Sequence, residues 1–236
     1  MTTKAILLAG GLGTRLRPLT ETVPKCLIPV AGRPMLDYWV DALDHAGIAE
    51  ALINTHHLVD PVRDYIADVN ARGGVTLTET YEPELLGSAG TITANRAFAD
   101  GADDLVIIYA DNLSTVDLGQ LVDVHRSHSD PMTMLLFRAP VPKACGIATL
   151  DADDRVTDFT EKPEHPQSDL ANAGIYAVTA EAWREIADMG AFDLGFDVLP
   201  RFVGRMRGMR HEGYHLDIGT PEALAKADAD AERLFG

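Results

Sequence analysis

The chain has 236 residues, 46% apolar and 24% charged, with 20 Gly, 13 Pro and two Cys, which excludes a disordered, collagen-like or disulfide-scaffold protein. Twenty Lys and Arg against 36 Asp and Glu give a formal net charge of −16. Nucleic acid and anionic membrane are excluded as partners by that charge, and any phosphate site must be local.

In chain order, Lys4 to Ala9 reads as a short, continuously apolar strand closed by Gly10 and Gly11, the pattern of a strand buried on both faces. A Gly-, Thr- and Pro-rich loop runs on to Pro24. Pro34 stands at a first helical position, Met35, Trp39, Leu43 and Ala46 recur at helical spacing, and Gly47 ends that helix. Ala51 to Asn54 predicts a second strand, and Asp60 caps a second helix that ends near Gly73 and Gly74. Val75 to Thr80 is a third strand, Ala89 to Phe98 a third helix and Asp104 to Tyr109 a fourth strand. Strand and helix alternate to residue 129, the signature of a doubly wound, mostly parallel sheet.

Beyond Pro131 the rhythm changes: Met132 to Arg138, Ile147 to Leu150, Arg155 to Thr160 and Ala171 to Val178 are strand-like with no long helix between them. This predicts a smaller mixed or antiparallel extension, with Asp151 to Asp154 as a hairpin turn rather than a calcium loop. Thr179 caps a helix through Ala187, Gly195 to Val203 is another, and Thr220 opens a last helix to Leu234. The chain reads as one domain, residues 1–236, with two halves, over 1–130 and 131–236. The apolar runs are far below the ~20 residues of a bilayer span. No signal-peptide pattern opens the chain, and no CxxC joins Cys26 to Cys145, so the expected location is the cytoplasm.

The chemistry concentrates in LAGGLGTRLRPLT (residues 8–20) and VPKCLIP (residues 23–29). Three glycines in four positions let backbone N–H groups approach an anion, and Arg15, Arg17 and Lys25 add fixed cations. The Walker and dinucleotide spacings are both missing. This opening resembles that of the sugar nucleotidyltransferases. The resemblance implies a GT-A-like, Rossmann-like α/β fold, with the triphosphate held by Leu8, Ala9, Gly10, Gly11, Gly13, Thr14, Arg15 and Lys25. Arg15 and Lys25 would also act on the departing pyrophosphate, and Cys26 is a packing residue.

A second cluster, YADN (residues 109–112), puts Asp111 at a strand's carboxyl end, where open α/β sheets bind ligands. HLDIGT (residues 215–220) supplies Asp217. The family resemblance makes these two aspartates the holders of Mg²⁺, an ion satisfied by few carboxylates plus substrate phosphates and water. Likewise ELLGSAG (residues 84–90) resembles the base- and ribose-contacting segment, assigning Gly87 and Ser88 to the nucleotide. EKP (residues 161–163), NAGIY (residues 172–176) and CGI (residues 145–147) resemble the sugar-phosphate motifs. They assign Glu161, Lys162, Asn172 and Gly146, with Asn112, to the acceptor.

The activity these resemblances imply is Mg²⁺-dependent transfer of a nucleoside monophosphate, from GTP, to a hexose or heptose 1-phosphate. The likeness is greatest to mannose and heptose 1-phosphate guanylyltransferases. The alternatives are a thymidylyl-, uridylyl- or cytidylyltransferase, on another sugar phosphate or a phospho-alcohol, and a catalytically silent nucleotide-sugar-binding subunit. Oligomeric state, a homo-oligomer included, is left open. His125 and His128 are read as a solvated helix face rather than metal ligands, His56 and His57 as residues near the crevice, and Arg201, Arg205, Arg207 and Arg210 as an offset to the acidic surface.

Overall fold

The computed structural model describes residues 1–235. Thirteen strands and seven α-helices follow in chain order. They are β1 Thr3–Leu8, β2 Pro29–Val30, β3 Arg33–Pro34, α1 Met35–His45, β4 Glu50–Thr55, α2 Val59–Arg72, β5 Thr76–Tyr81 and α3 Ser88–Ala94. Next come β6 Asp104–Tyr109, β7 Asn112–Ser114, α4 Leu118–Arg126, β8 Met132–Arg138, β9 Gly146–Leu150, β10 Val156–Glu161 and β11 Leu170–Thr179. The chain closes with α5 Ala180–Asp188, α6 Leu199–Phe202, β12 Met206–Arg210, β13 His215–Asp217 and α7 Pro221–Phe235.

These elements pack as two compact units interleaved along the chain, rather than divided near residue 130. The first unit takes Met1–Lys4, Leu86–Ile107 and Gly119–Glu212; the second takes Ala5–Leu85, Ile108–Leu118 and the chain from Gly213 on.

In the second unit β1, β4 and β5 pair in parallel, with Ala5 opposite Ala51 and Ala51 opposite Leu77. Ala5, Ile6, Leu7 and Ile53 are wholly buried, as strands covered on both faces require. The helical pattern read from Met35 holds for α1, and Gly47 takes the left-handed conformation at its end. The start of α2 differs: Leu58 is the N-cap, and Asp60 falls inside the first turn, where its charge faces the positive end of the helix dipole without capping it. Opposite β7, β13 runs antiparallel, with Asp217 facing Asn112. Leu113 of β7 and Ile218, just past the end of β13, enter a cluster with Val30, Met35, Tyr38, Ala227 and Ala231. Burial of those two apolar side chains anchors the residues beside them.

In the first unit β9 lies between β10 and β11, all antiparallel, while β8 joins β11 antiparallel and β12 in parallel. The mixed extension is therefore as expected, and Asp151 closes the β9–β10 turn by accepting from the backbone N–H groups of Asp153 and Arg155, both at 2.9 Å. Ala139, Ile147 and Ala171 form the small core beneath it.

Three sequence expectations change in this unit. The single helix expected over 89–98 stops at Ala94 and resumes as a 3₁₀ turn over Arg96–Ala99; at the break the Thr91 carbonyl accepts from both the Asn95 backbone N–H at 3.2 Å and the Asn95 amide at 2.8 Å. The basic stretch from Arg205 is a strand, β12, with Met206 and Gly208 buried. Its arginines do offset acids: Arg205 pairs with Glu185, Arg207 with Asp130 and Arg210 with Asp154. The His125 side of α4 is not solvated. His125 is buried, its Nδ1 lies 3.0 Å from the Thr133 hydroxyl, and its Nε2 lies 3.8 Å from the Asp104 carboxylate. His128 meets the same hydroxyl at 2.9 Å. Burial pulls the His125 pKa down to about 4, against the opposing pull of Asp104.

Candidate active site

The glycine-rich loop of the second unit is held from below by a residue that no local pattern identified. The Asn54 carbonyl oxygen, at the end of β4, accepts from the backbone N–H of Ala9 at 2.6 Å and of Gly10 at 3.1 Å. Its amide donates to the buried Glu82 carboxylate at 3.1 Å. A Cβ on Gly10 would stand 2.7 Å from that amide nitrogen, so glycine is required for the close approach. Gly13 turns through φ +59° and accepts a 2.8 Å hydrogen bond from the Thr20 hydroxyl.

The anion-binding groups expected at Ala9 and Gly10 are thus already engaged. What remains among the described residues is the run of N–H groups on Gly11, Leu12 and Gly13, which donate to no protein acceptor. A Cβ on Gly11 would meet nothing within 4 Å. The protein itself therefore makes no steric demand for glycine there. A cleft partly open to solvent adjoins the loop, lined among others by Gly10, Gly11, Lys25, Asn54, His56 and His57. The backbone carbonyl of Glu82 lies 2.8 Å from His56 Nδ1; a carbonyl only accepts, so Nδ1 carries the proton.

Asp111 sits in the turn between β6 and β7 and is drawn beside this loop by the 3.1 Å hydrogen bond from Ala110 N–H to the Leu8 carbonyl. Its carboxylate accepts from Lys25 Nζ at 2.5 Å, with the lysine 11% and the aspartate 35% exposed. Next to it in the sequence, Asn112 is buried and spans the turn by donating to the Tyr109 carbonyl at 3.2 Å. The Ile218 N–H donates to the Asp111 carbonyl at 2.9 Å, which brings the HLDIGT strand against YADN. Arg15 Nη2 stands 3.9 Å from the Asp217 carboxylate, both well exposed. A Cβ on Gly219 would come within 2.5 Å of that guanidinium, the exposed end of a flexible side chain. Four of the expected residues, Arg15, Lys25, Asp111 and Asp217, thus meet as two cation–carboxylate pairs.

Among the described residues no three His, Cys, Asp or Glu groups are gathered for a metal. Two hard carboxylates, Asp217 on β13 and Asp111 just before β7, both partly open to solvent, fit an ion that takes its other ligands from phosphate and water, so the donor set suits Mg²⁺. Cys26, beside Lys25, is buried and its thiol is pushed up to about 12 by desolvation, so it is inert packing.

The first unit holds the sugar-motif residues. Glu161 faces Gly146 across the β9–β10 pair. Its carboxylate is 14% exposed and lies 3.8 Å from Lys162 Nζ. Burial raises its pKa, against the attraction of Lys162 and helped by Asp193. A Cβ on Gly146 would collide with that carboxylate and with the Phe159 ring. Lys162 adopts φ +47° and donates its N–H to the Cys145 carbonyl at 3.1 Å. Asn172 lies at a bulge of β11 and donates to the Tyr176 hydroxyl at 2.7 Å. Gly87 turns through φ +79° to start α3. The Ser88 hydroxyl accepts from the Leu194 N–H at 2.8 Å and donates to the Asp193 carboxylate at 3.3 Å.

The sequence pattern of the nucleotidyl transferase family matches residues 4–233, and the chain belongs to that family. It is 34% identical to a mannose-1-phosphate guanylyltransferase of Mycobacterium tuberculosis, over 97% of this chain and 64% of that protein. It is equally 34% identical to a glucose-1-phosphate thymidylyltransferase of Streptomyces griseus, over 92% of this chain and 62% of that protein. The chain therefore spans just under two thirds of the length of these relatives. A Bacillus anthracis protein assigned as a glucose-1-phosphate thymidylyltransferase, solved with a sucrose, superposes with a TM-score of 0.87 at 26% identity, covering 98% of this chain and 95% of that one. The doubly wound α/β fold class is the one this likeness gives. No helix among the described residues is long and apolar enough to cross a membrane.

Proposed function

We propose that this chain transfers a nucleoside monophosphate from GTP to a hexose or heptose 1-phosphate, releasing pyrophosphate and forming a nucleoside diphosphate sugar. The observation that carries the reading is the cluster of the second unit: free N–H groups on Gly11, Leu12 and Gly13, with Lys25 on Asp111 and Arg15 near Asp217, in a chain of net charge −16. Uncompensated N–H donors, two cations, and two carboxylates able to hold a divalent cation suit an oligophosphate.

An oxygen of the sugar 1-phosphate attacks the α-phosphorus. The bond to the β-phosphate breaks, and pyrophosphate leaves with the electron pair. The attacking phosphate is already ionised at neutral pH, so no general base is required. Positioning and charge stabilisation supply the catalysis. The Gly11–Gly13 amides and Thr14 hold the triphosphate, while Arg15 and Lys25 meet the charge that builds on pyrophosphate. Asp111 and Asp217 are the residues that would hold Mg²⁺, which when bound neutralises phosphate charge. Glu161 accepts from sugar hydroxyls, Lys162 faces the sugar's phosphate, and Gly146 and Asn172 adjoin them. The substrates place this work in the cytoplasm.

Guanine as the base is supported by ELLGSAG and by the Mycobacterium tuberculosis relative; the equally similar Streptomyces griseus protein favours thymine as the second reading. A thermal-shift panel of GTP, UTP, CTP, dTTP and ATP with Mg²⁺ separates the two. A ligand at 100 times its Kd adds roughly 2.7 kcal/mol of stability, and GTP should give the largest shift. Pyrophosphate release by the purified chain with mannose 1-phosphate or glucose 1-phosphate completes the test. No release with any pairing sinks the proposal.

A further inference from the structure

The segment from Phe192 to Val198 takes in the first part of the helix expected over Gly195 to Val203. It forms a single π turn over Leu194–Val198, with Asp193 as its N-cap accepting from the Phe196 N–H at 2.9 Å. The Asp197 carboxylate accepts from the N–H groups of Phe192 at 3.0 Å and Asp193 at 2.8 Å, so the segment is closed on itself. π turns are rare and concentrate at functional positions.

Two other parts of the same unit are fastened to it. On one side, Ala89 N–H donates to the Phe192 carbonyl at 3.1 Å, and Ser88 is bonded to both Asp193 and Leu194. On the other side, a Cβ on Gly195 would stand 2.9 Å from the Glu161 carboxylate, so the turn lies directly against the acid read as the sugar's acceptor. Among the described residues no group donates a hydrogen bond to that carboxylate. The Phe196 ring is 58% exposed, and Lys162 Nζ stands 5.7 Å from its centroid. A large ring held open to solvent beside an unsatisfied, mostly buried carboxylate has the make-up of a ligand wall, with an apolar face and one oriented polar group.

We infer that the Phe192–Val198 turn is a wall of the acceptor site, with the Phe196 ring packing against the sugar ring, and that Ser88 is a positioning residue for this wall rather than a nucleotide ligand. This rests on the proposed function for the identity of the acceptor as a sugar phosphate. A flat aromatic face favours a pyranose, which presents a surface of C–H groups, over an acyclic phospho-alcohol.

The test is initial-rate kinetics on the intact chain with GTP and mannose 1-phosphate varied separately, for wild type, Phe196→Ala, Ser88→Ala and Ser88→Thr. Phe196→Ala and Ser88→Ala should raise the KM for mannose 1-phosphate by about tenfold and leave the KM for GTP within about twofold. Ser88→Thr, which keeps the hydroxyl, should restore the wild-type acceptor KM. A Ser88→Ala variant that raises only the GTP KM, or a Phe196→Ala variant with unchanged acceptor KM, overturns the inference. Should Ser88→Ala fail to fold, Phe196→Ala alone decides, since its side chain is exposed. If wild type shows no turnover, the function falls separately, and calorimetric titration with mannose 1-phosphate decides this point. Weaker binding by Phe196→Ala supports the wall, and equal or absent binding overturns it.

Discussion

The phosphate cluster of the second unit and the sugar-motif cluster of the first hold their carboxylates in opposite ways. Asp111 and Asp217 are paired with cations and open to solvent, and the glycines around them either clear room for a cation or leave open space. Glu161 is mostly buried, its one close cation is 3.8 Å away, and Gly146 and Gly195 exist because the carboxylate fills the space a Cβ would need. On the proposed function, the first arrangement would recognise charge and tolerate small displacements, and the second would recognise shape and would not. Selectivity among acceptors should accordingly be the more fragile property, and phosphate binding the more salt-sensitive.

The largest effects should come from the charged cluster. Lys25→Ala and Asp111→Asn are each expected to lower turnover by about a hundredfold or more, on the order of 3 kcal/mol of lost charge stabilisation. Steady-state rates check this, and near-normal rates in both variants would remove the assigned roles. His125, in the unit of the buried acid, tests burial on a similar scale. Its folded pKa of about 4 lies below the unfolded value of 6.5, so the unfolded chain binds the proton more readily between those values. The stability it contributes is complete above about pH 6.5 and lost as pH falls towards 4, on the order of 3 kcal/mol in all. Urea unfolding from pH 7 to pH 4 should show that slope in wild type, and a His125→Gln variant should flatten it.

A glycine pair sharpens the contrast further. Gly146→Ala forces a methyl into the Glu161 carboxylate and the Phe159 ring and should cost ~1–3 kcal/mol of stability. Gly11→Ala meets no protein atom and should stay within ~0.5 kcal/mol of wild type, yet raise the KM for the triphosphate. Unfolding midpoints and substrate KM values measured together would separate the two, and equal stability losses would erase the distinction. The support beneath the loop is tested by Asn54→Ala. It frees the Ala9 and Gly10 amides but leaves Glu82 without its amide donor, with an expected cost of ~1–3 kcal/mol and a weaker triphosphate KM.

The parts of this molecule legible in the sequence are those whose chemistry is local. The loop at residues 8–20, YADN and HLDIGT carry their glycines, cations and carboxylates within a few positions, and strand order follows from alternating apolar runs. Asn54 could not be read, because the amides it holds lie 44 and 45 positions away. The Ser88 hydroxyl is claimed by residues 105 and 106 positions further on, and nothing near Ser88 announces them. His125 misled for a related reason: helical spacing gives a face, but only the partner Thr133 on β8 says whether that face meets solvent or protein. In β12 the arginines masked the alternation of Met206 and Gly208 that could have revealed a strand.

The pairing of β13 with β7 joins residues 215–217 to residues 112–114. During synthesis, Asp111 leaves the ribosome about a hundred residues before the strand that braces it, since chains emerge from the N-terminus onward. A nascent or truncated chain ending short of β13 therefore has its glycine-rich loop but neither Asp217 nor the backbone donor of Ile218 that fixes Asp111. The cluster proposed to hold the triphosphate is complete only once residues 215–218 have been made.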